Sequence, residues 1–287
     1  MYNLSELYYP ITANPKGAGE ILPCKALRPY IRCFWGSSFL EETYRGEPEK
    51  QLNDPSAPSL GGEIIIPDSC MDIIWEWDEQ TGESGGIFCG INDTPFEAGQ
   101  AHDDTGKIRF AIRFHFWAVH LFADDHLREV LNIHTGVDQY FGSFRSELGD
   151  KLPGTRTVAE RIALVEAYLL RQLEKIRYSN DGMLNAVYAI VKSKGVISVA
   201  ALEGNSGFSS RQLERLFREY IGISPKKTAD LVRFQNVWLD LYRTPPQNRN
   251  IQDVVYSYGY SHQSHLNNNF KKFAGRTPLE ALAYARN

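Results

Sequence analysis

A pattern written twice in the last hundred or so residues restricts this chain more than any other feature. The first copy runs Gly207-Phe208-Ser209, Leu213, Phe217 and Gly222-Ile223-Ser224-Pro225; the second runs Gly259-Tyr260-Ser261, Leu266, Phe270 and Gly275-Arg276-Thr277-Pro278. The leading glycine permits a tight turn between two crossing helices, and the serine two places on is positioned to cap the free amides of the next helix. Ser209 and Gln212 have the spacing of a reciprocal capping box. Leu213 with Phe217, and Leu266 with Phe270, stand one helical turn apart and share a buried face. Gly222 and Gly275 suit a left-handed helix stop, and the Ser-Pro and Thr-Pro pairs beyond them open a further helix with a cap and a proline at its first position. A short helical segment precedes each leading glycine, around Val199-Ala200-Ala201-Leu202 and Ile251-Gln252-Asp253-Val254-Val255. Helix, turn, capped helix, occurring twice, reads as a pair of helix-turn-helix units. Glycine to leucine is six residues in one copy and seven in the other, so the copies match with a one-residue offset early in the second helix.

With the leucines and phenylalanines inward, Ser210, Arg211, Glu214, Arg215 and Arg218 face outward in the first unit. His262, Gln263, His265, Asn267, Asn268 and Lys271 do so in the second. Arginine pairs bidentately with guanine, and glutamine or asparagine with adenine, each worth roughly 1–3 kcal/mol of discrimination. Arg218, Lys271 and Lys272 suit phosphates instead. Between the units, Lys226 to Arg243 carries Leu231, Phe234, Trp238 and Leu241 on one stripe. A rigid helix there would set the two reading helices in successive major grooves, roughly 34 Å apart. The charge distribution agrees. The whole chain carries −4, but residues 181–287 hold 14 Lys and Arg against 8 Asp and Glu, whereas residues 1–180 hold 17 against 27. A basic C-terminal third has the sign needed to displace counterions from phosphates.

The first 125 or so residues follow a period of two. Ile73, Trp75 and Trp77 fall on one face of an extended segment, opposite Asp72, Ile74 and Glu76. Phe110, Ile112, Phe114 and Phe116 repeat this, opposite Arg113, His115 and Trp117. Turn residues at Pro67-Asp68-Ser69, Gly82, Gly85-Gly86 and Asn92-Asp93-Thr94-Pro95 separate the runs. A small β-sandwich or barrel is expected. From Asp124 the period turns helical. Val158, Ile162, Val165, Leu169, Leu173 and Ile176 form a stripe that either packs on its own domain or serves as a two-helix dimer seam. Tyr178-Ser179-Asn180-Asp181-Gly182 breaks that pattern and marks a linker. Trp35, Trp75, Trp77 and Trp117, with Arg113 and His115 as polar anchors, are the candidates for a pocket that takes a small-molecule effector.

Cys24, Cys33, Cys70 and Cys89, with His115, His120 and His126, offer soft ligands for a metal- or thiol-responsive alternative, but they show no recurrent metal-ligand spacing. The chain has no Gly-x-Ser-x-Gly, phosphate loop or His-Glu-x-x-His, so neither an enzyme nor a cofactor is expected. Its start lacks a basic head followed by an apolar run, and the stretch Phe110 to Ala123 is broken by Arg113, His115 and His120. Neither export nor membrane insertion is signalled, and a cytoplasmic location is expected.

Ser209 through Arg218 with Gly222-Ile223-Ser224-Pro225, and Gly259-Tyr260-Ser261 through Gly275-Arg276-Thr277-Pro278, closely resemble the AraC/XylS family of bacterial transcription regulators, over about residues 180–287. The resemblance implies an all-helical DNA-binding domain, a regulatory partner domain and action at promoters as activator or repressor. By position it implies base reading by Arg211, Glu214 and Arg215 in the first unit and by Gln263, His265 and Asn268 in the second. Pro67 through Ile74 and the Phe110 to Gly142 stretch are similar to sensor domains of some of these regulators. Glu203 and Ser206 depart from the family pattern, which has a small residue four before the first glycine and an apolar one just before it. A carboxylate at the crossing point would crowd the two helices, so the first unit is expected to be less tightly packed. The expected chain is α+β: a β-rich sensor domain over 1–178, with a helical connector near 125–178, and an all-α double helix-turn-helix domain over 181–287. Double-stranded DNA, a small-molecule effector, a second copy in a homodimer and, for an activator, RNA polymerase are the expected partners.

Overall fold

The computed structural model describes residues 3–13, 19–36, 64–97, 107–176, 181–245, 247 and 250–285; of the expected linker, residues 178–180 lie outside these. Its strands are β1 (Ile31–Gly36), β2 (Ile64–Ile65), β3 (Cys70–Asp78), β4 (Ser84–Cys89), β5 (Phe96–Glu97), β6 (Lys107–His115) and β7 (His134–Gly136). Five of them form one antiparallel sheet in the order β1-β6-β3-β4-β7, and β2 pairs with β5 as a separate two-stranded ribbon. The β-rich half expected as a sandwich or barrel thus takes the form of a single five-stranded sheet covered by helices, beside that ribbon. β3 and β6 pair over their full length with Ile73 opposite Ile112 and Trp75 opposite Phe110. A one-residue slip would carry every one of these side chains to the other face, so the alternation in sequence fixes the register.

The helices are α1 (Leu4–Leu7), α2 (Asp138–Leu148), α3 (Val158–Lys175), α4 (Asp181–Lys192), α5 (Val199–Ser206), α6 (Ser210–Tyr220), α7 (Pro225–Arg243), α8 (Ile251–Ser257), α9 (Gln263–Ala274) and α10 (Pro278–Tyr284). Helix α2 lies on the aromatic face of the sheet. Phe141 meets Phe88 at 5.0 Å, and Phe144 meets Trp75 at 6.2 Å and Tyr168 of α3 at 5.5 Å. Gly86 on β4 makes room for this layer, because a Cβ there would overlap the Trp75 ring. Thr157 caps α3 by accepting from the Glu160 amide. The apolar stripe of α3 packs on its own domain: Val158, Val165 and Leu169 are buried, joined by Arg161 and Tyr168, while Ile162 and Leu173 are only half-buried. The buried face is rotated toward Arg161, whose guanidinium lies over the Trp77 ring at 4.9 Å.

The two halves share one apolar core. Residues 8–12 run as a strap from the sheet to α7: the Ile11 amide donates to Gln235 Oε1 at 2.9 Å, Gln235 Nε2 donates to the Pro67 carbonyl at 2.7 Å, and Trp238 Nε1 donates to the Thr12 carbonyl at 3.0 Å. Among the described residues no helix is long and apolar enough to cross a membrane.

Candidate nucleic-acid interface

The first unit is α5, a turn at Gly207 and α6. Ser198 caps α5 through the Ala201 amide, and Gly207 ends it with φ of 74°. Ser209 then starts α6 with the expected reciprocal box: its hydroxyl accepts from the Gln212 amide, and its own amide donates to Gln212 Oε1 at 3.0 Å. Glu203 does not crowd the crossing point as expected. Its Oε1 accepts from the Ser210 amide at 2.6 Å, so the carboxylate turns to the positive end of α6 and adds a second cap. Ser206 likewise does structural work, donating to the Leu202 carbonyl at 2.7 Å and accepting from the Phe208 amide at 3.2 Å. Leu202, Leu213, Phe217 and Ile221 are buried beneath.

The second unit is α8, a turn at Gly259 with φ of 63° and α9. Its cap corrects the sequence expectation. His262, not Ser261, occupies the N-cap, with its Nδ1 accepting from the His265 amide at 3.1 Å. The cap-to-leucine distance is then four residues in both units, Ser209 to Leu213 and His262 to Leu266. The extra residue noticed between glycine and leucine is absorbed in the turn. Gly275 ends α9 with φ of 70°, and Thr277 opens α10 with a capping box to Glu280 and Pro278 at its first position.

Helix α7 joins the units. Ser224 caps it and Pro225 begins it, and Leu231, Phe234, Trp238 and Leu241 are buried along one side. Phe270 and Phe273 of α9 pack on Phe234 at 5.1 and 5.0 Å. The Tyr258 hydroxyl, just beyond α8, donates to Asp240.

On this frame Ser210, Arg211, Arg215 and Arg218 are exposed and Glu214 is half-buried. Arg218 pairs with Glu214 at 2.9 Å and Arg215 with Glu219 at 3.5 Å, whereas Arg211 has no ion-pair partner among the described residues. In the second unit His262, Gln263, His265, Asn268 and Lys271 are exposed, and Asn267 is half-buried. The cap uses His262 Nδ1. Sequence reasoning missed Glu219, which is 7% exposed at the last turn of α6. Its carbonyl accepts from the Leu127 amide at 2.9 Å, and its carboxylate meets Arg128 at 3.3 Å and His126 at 3.6 Å. Gly222, with φ of 90°, sits where a Cβ would be 2.6 Å from the Leu127 carbonyl oxygen and would overlap Val130. Helix α6 therefore abuts the first half of the chain at residues 126–130. Lys227 at the start of α7 adds an ion pair of 2.7 Å to Asp93.

The effector candidates do not converge. Trp75 and Trp77 are buried on the helix-covered face. Arg113 forms a bidentate pair with Asp72 on the opposite face, at 3.0 Å for both Nε to Oδ1 and Nη2 to Oδ2, reaches Asp68 at 3.3 Å and lies 5.6 Å from the Trp35 ring. Burial pushes the Asp72 carboxyl upward, with Arg113 and its hydrogen bonds pulling the other way. His115 stacks on Trp117 at 4.4 Å, and Trp117 Nε1 donates to the Pro29 carbonyl. Of the thiols, burial pushes Cys89 up to about 12 and raises Cys33 and Cys70 as well. Among the described residues no group of three or more His, Cys, Asp or Glu side chains is arranged to hold a metal ion.

Against known families, residues 204–283 match a model described as a helix-turn-helix domain, a span that runs from the end of α5 and holds both capped helices α6 and α9. The C-terminal region is an AraC-type helix-turn-helix domain. Residues 19–135, which hold the whole sheet but for the last residue of β7, match a domain of unknown function, DUF6597. Among curated proteins, the chain is 27% identical over 86 residues to the probable thc operon regulatory protein of Rhodococcus erythropolis, covering 30% of this chain and 26% of that protein. It is 28% identical over 126 residues to the HTH-type transcriptional regulator GlxA of Rhizobium meliloti, covering 44% and 34%. The aligned part thus spans only 26% and 34% of the length of these relatives. Among solved structures, ToxT of Vibrio cholerae superposes with a TM-score of 0.40 at 12% identity, covering 78% of this chain and 94% of that one. In the AraC-type domain of this chain, the two capped helices are α6 and α9, and α7 is the spine between them.

Proposed function

We propose that the protein is a sequence-specific DNA-binding transcription regulator whose first half, about residues 1–178, senses a small-molecule effector and whose residues 181–287 grip double-stranded DNA. One observation carries the reading: the AraC-type domain presents two separately capped helices, each with an exposed polar face, on a single spine. The 19 residues of α7 make a rod of about 28 Å at 1.5 Å per residue. That length is of the order of the roughly 34 Å between successive major grooves on one side of a duplex. In this reading Arg211 and Arg215, then Gln263, His265 and Asn268, meet base edges, while Arg218 and Lys271 meet phosphates. The pairs Arg218–Glu214 and Arg215–Glu219 must open or tilt on binding. Being on exposed guanidiniums, they cost little to break, about 0–1 kcal/mol each.

Mobility-shift titrations at several salt concentrations test the reading. Gln263→Ala and Arg211→Ala are expected to relax base preference at particular positions of a selected duplex. Lys271→Ala is expected to weaken all duplexes alike and to reduce the salt slope by about 1. Base preference and salt slope left unchanged by all three substitutions would remove these helices from the DNA contact.

A further inference from the structure

Arg32 sits at a β-bulge, where the pairing of β1 with β6 slips between Ile31 and Cys33. Such a slip re-aims a side chain out of the sheet's alternation. Arg32 is only 6% exposed. Glu20 balances its charge at 3.2 Å and the Tyr9 ring lies 3.6 Å from its guanidinium carbon, yet its Nε is buried without a hydrogen-bond partner among the described residues. Native structures rarely leave such a donor unmatched unless something else supplies the acceptor.

A groove of about 380 Å³ opens beside it, within the roughly 300–1,000 Å³ range of small-molecule sites. Lys25 and Arg28, both exposed, lie along this groove; among the described residues Glu6 is the one carboxylate that lines it. His115 contributes a ring that burial holds neutral, its pKa pushed down to about 3. Leu22 and Tyr9, 56% and 45% exposed, are large apolar surfaces along the groove, with Arg32 packed over the Tyr9 ring.

We propose that this groove binds a small organic anion: a carboxylate gripped side-on by Arg32, drawn in by Lys25 and Arg28, with its ring or aliphatic body lying over Tyr9 and Leu22. A carboxylate can accept from Nε and a terminal nitrogen of one guanidinium together, which is the acceptor Arg32 lacks. Tyr9 belongs to the strap that continues through Ile11 and Thr12 to Gln235 and Trp238 of α7. On the effector-sensing reading above, on which this assignment of the effector class rests, the groove is thereby connected to the spine between the two DNA-reading helices.

The test is calorimetric titration of the full chain with cyclohexanecarboxylate, phenylacetate and inorganic phosphate at constant ionic strength. Saturable one-site binding of a carboxylate, weaker binding of phosphate, and at least tenfold weaker carboxylate binding by Arg32→Gln are expected. Lys25→Ala and Arg28→Ala, substitutions at exposed positions that do not threaten folding, are each expected to weaken binding severalfold, so the question stays decidable if Arg32→Gln fails to fold. Absence of saturable binding by either carboxylate overturns the proposal, as does binding that the rim substitutions leave unchanged. Phosphate binding as tightly as the carboxylates overturns the organic class. Mobility shifts with and without the bound carboxylate separate the two readings: binding at the groove with unaltered DNA affinity upholds the site and overturns effector sensing.

Discussion

Gln235 is where the two halves of the molecule are most exposed to a single substitution. It is 1% exposed, its Oε1 accepts from the Ile11 amide at 2.9 Å, and its Nε2 donates to the Pro67 carbonyl at 2.7 Å. Gln235→Leu keeps a similar volume, so no cavity opens, but it leaves an amide and a carbonyl of two other segments buried without partners. Both orphans are main-chain groups and cannot be replaced to match. Each costs about 1–3 kcal/mol, and relaxation of the strap toward water puts the expected loss near the low end of the sum, about 3 kcal/mol. For a chain of this size that corresponds to a fall in Tm of roughly 6–12 °C. Urea unfolding is the direct assay, with the midpoint lowered and the m-value unchanged. Trp238→Phe removes the indole hydrogen bond to Thr12 together with part of a buried ring, and is expected to cost about 2 kcal/mol or more. If Gln235→Leu unfolds within about 0.5 kcal/mol of the parent, smaller than any orphaned group should cost, then the strap is not held in the way described and the reasoning is refuted.

Gly222→Ala must both adopt φ of 90° and push into Val130 and the Leu127 carbonyl, whereas an alanine at Gly207 meets open space at φ of 74°. Losses of about 3 kcal/mol or more and about 1 kcal/mol respectively are expected in urea unfolding, and equal losses would deny the close approach of α6 to residues 126–130. Glu203→Ala removes the acceptor for the Ser210 amide and is expected to cost about 1 kcal/mol, an effect that a crowded carboxylate would reverse in sign. Burial holds His115 and His120 neutral, pushing their pKa values down to about 3 and about 4. Below the ordinary value of about 6.5 the unfolded chain takes up these protons first, so stability present at pH 7 is lost as pH falls, by about 2 kcal/mol for each at pH 5. His120→Phe should flatten part of the slope between pH 7 and pH 5, and a variant with the full slope would mean the loss lies elsewhere.

Legibility in the sequence followed the range of the interactions involved. The caps Ser209, Ser224 and Thr277, the left-handed stops at Gly222 and Gly275 and the faces of β3 and β6 are decided within a few residues, and each stood in the sequence as it stands in the fold. The alternation in β3 and β6 called for paired strands but could not say whether the sheet closes on itself, because closure depends on partners far along the chain. The cap of α9 was placed on Ser261 because serine is the better capper by type; only the shared four-residue step from cap to leucine, already present in the spacing, pointed to His262. Glu203 was misjudged because the position was compared with a small residue, while the direction a glutamate takes from a helix's last turns is set by the nearest free amide, here that of Ser210. Glu219 left no local signal at all: it reads as one more charge on a polar helix until residues 126–130, some ninety positions away, close over it.

Two of the places where the AraC-type domain meets the first half of the chain differ in chemical character. At the end of α6 the contact is main chain to main chain, Leu127 amide to Glu219 carbonyl, against a glycine that has no side chain to move. Midway along α7 it is made by two side chains, Gln235 and Trp238, reaching a strap with no regular structure of its own. A backbone contact behind a buried glycine has few alternative arrangements, whereas a strap held by one amide and one indole can shift by exchanging those two partners for water. On the proposed reading a ligand that binds Arg32 and shifts the Tyr9 ring packed on it therefore acts on the second attachment first. Its consequence would be a change in the placement of α7 and of α9, which packs on Phe234, relative to an α6 that stays with residues 126–130. Regulation would then lie in the spacing of the two reading helices rather than in the exposure of either one.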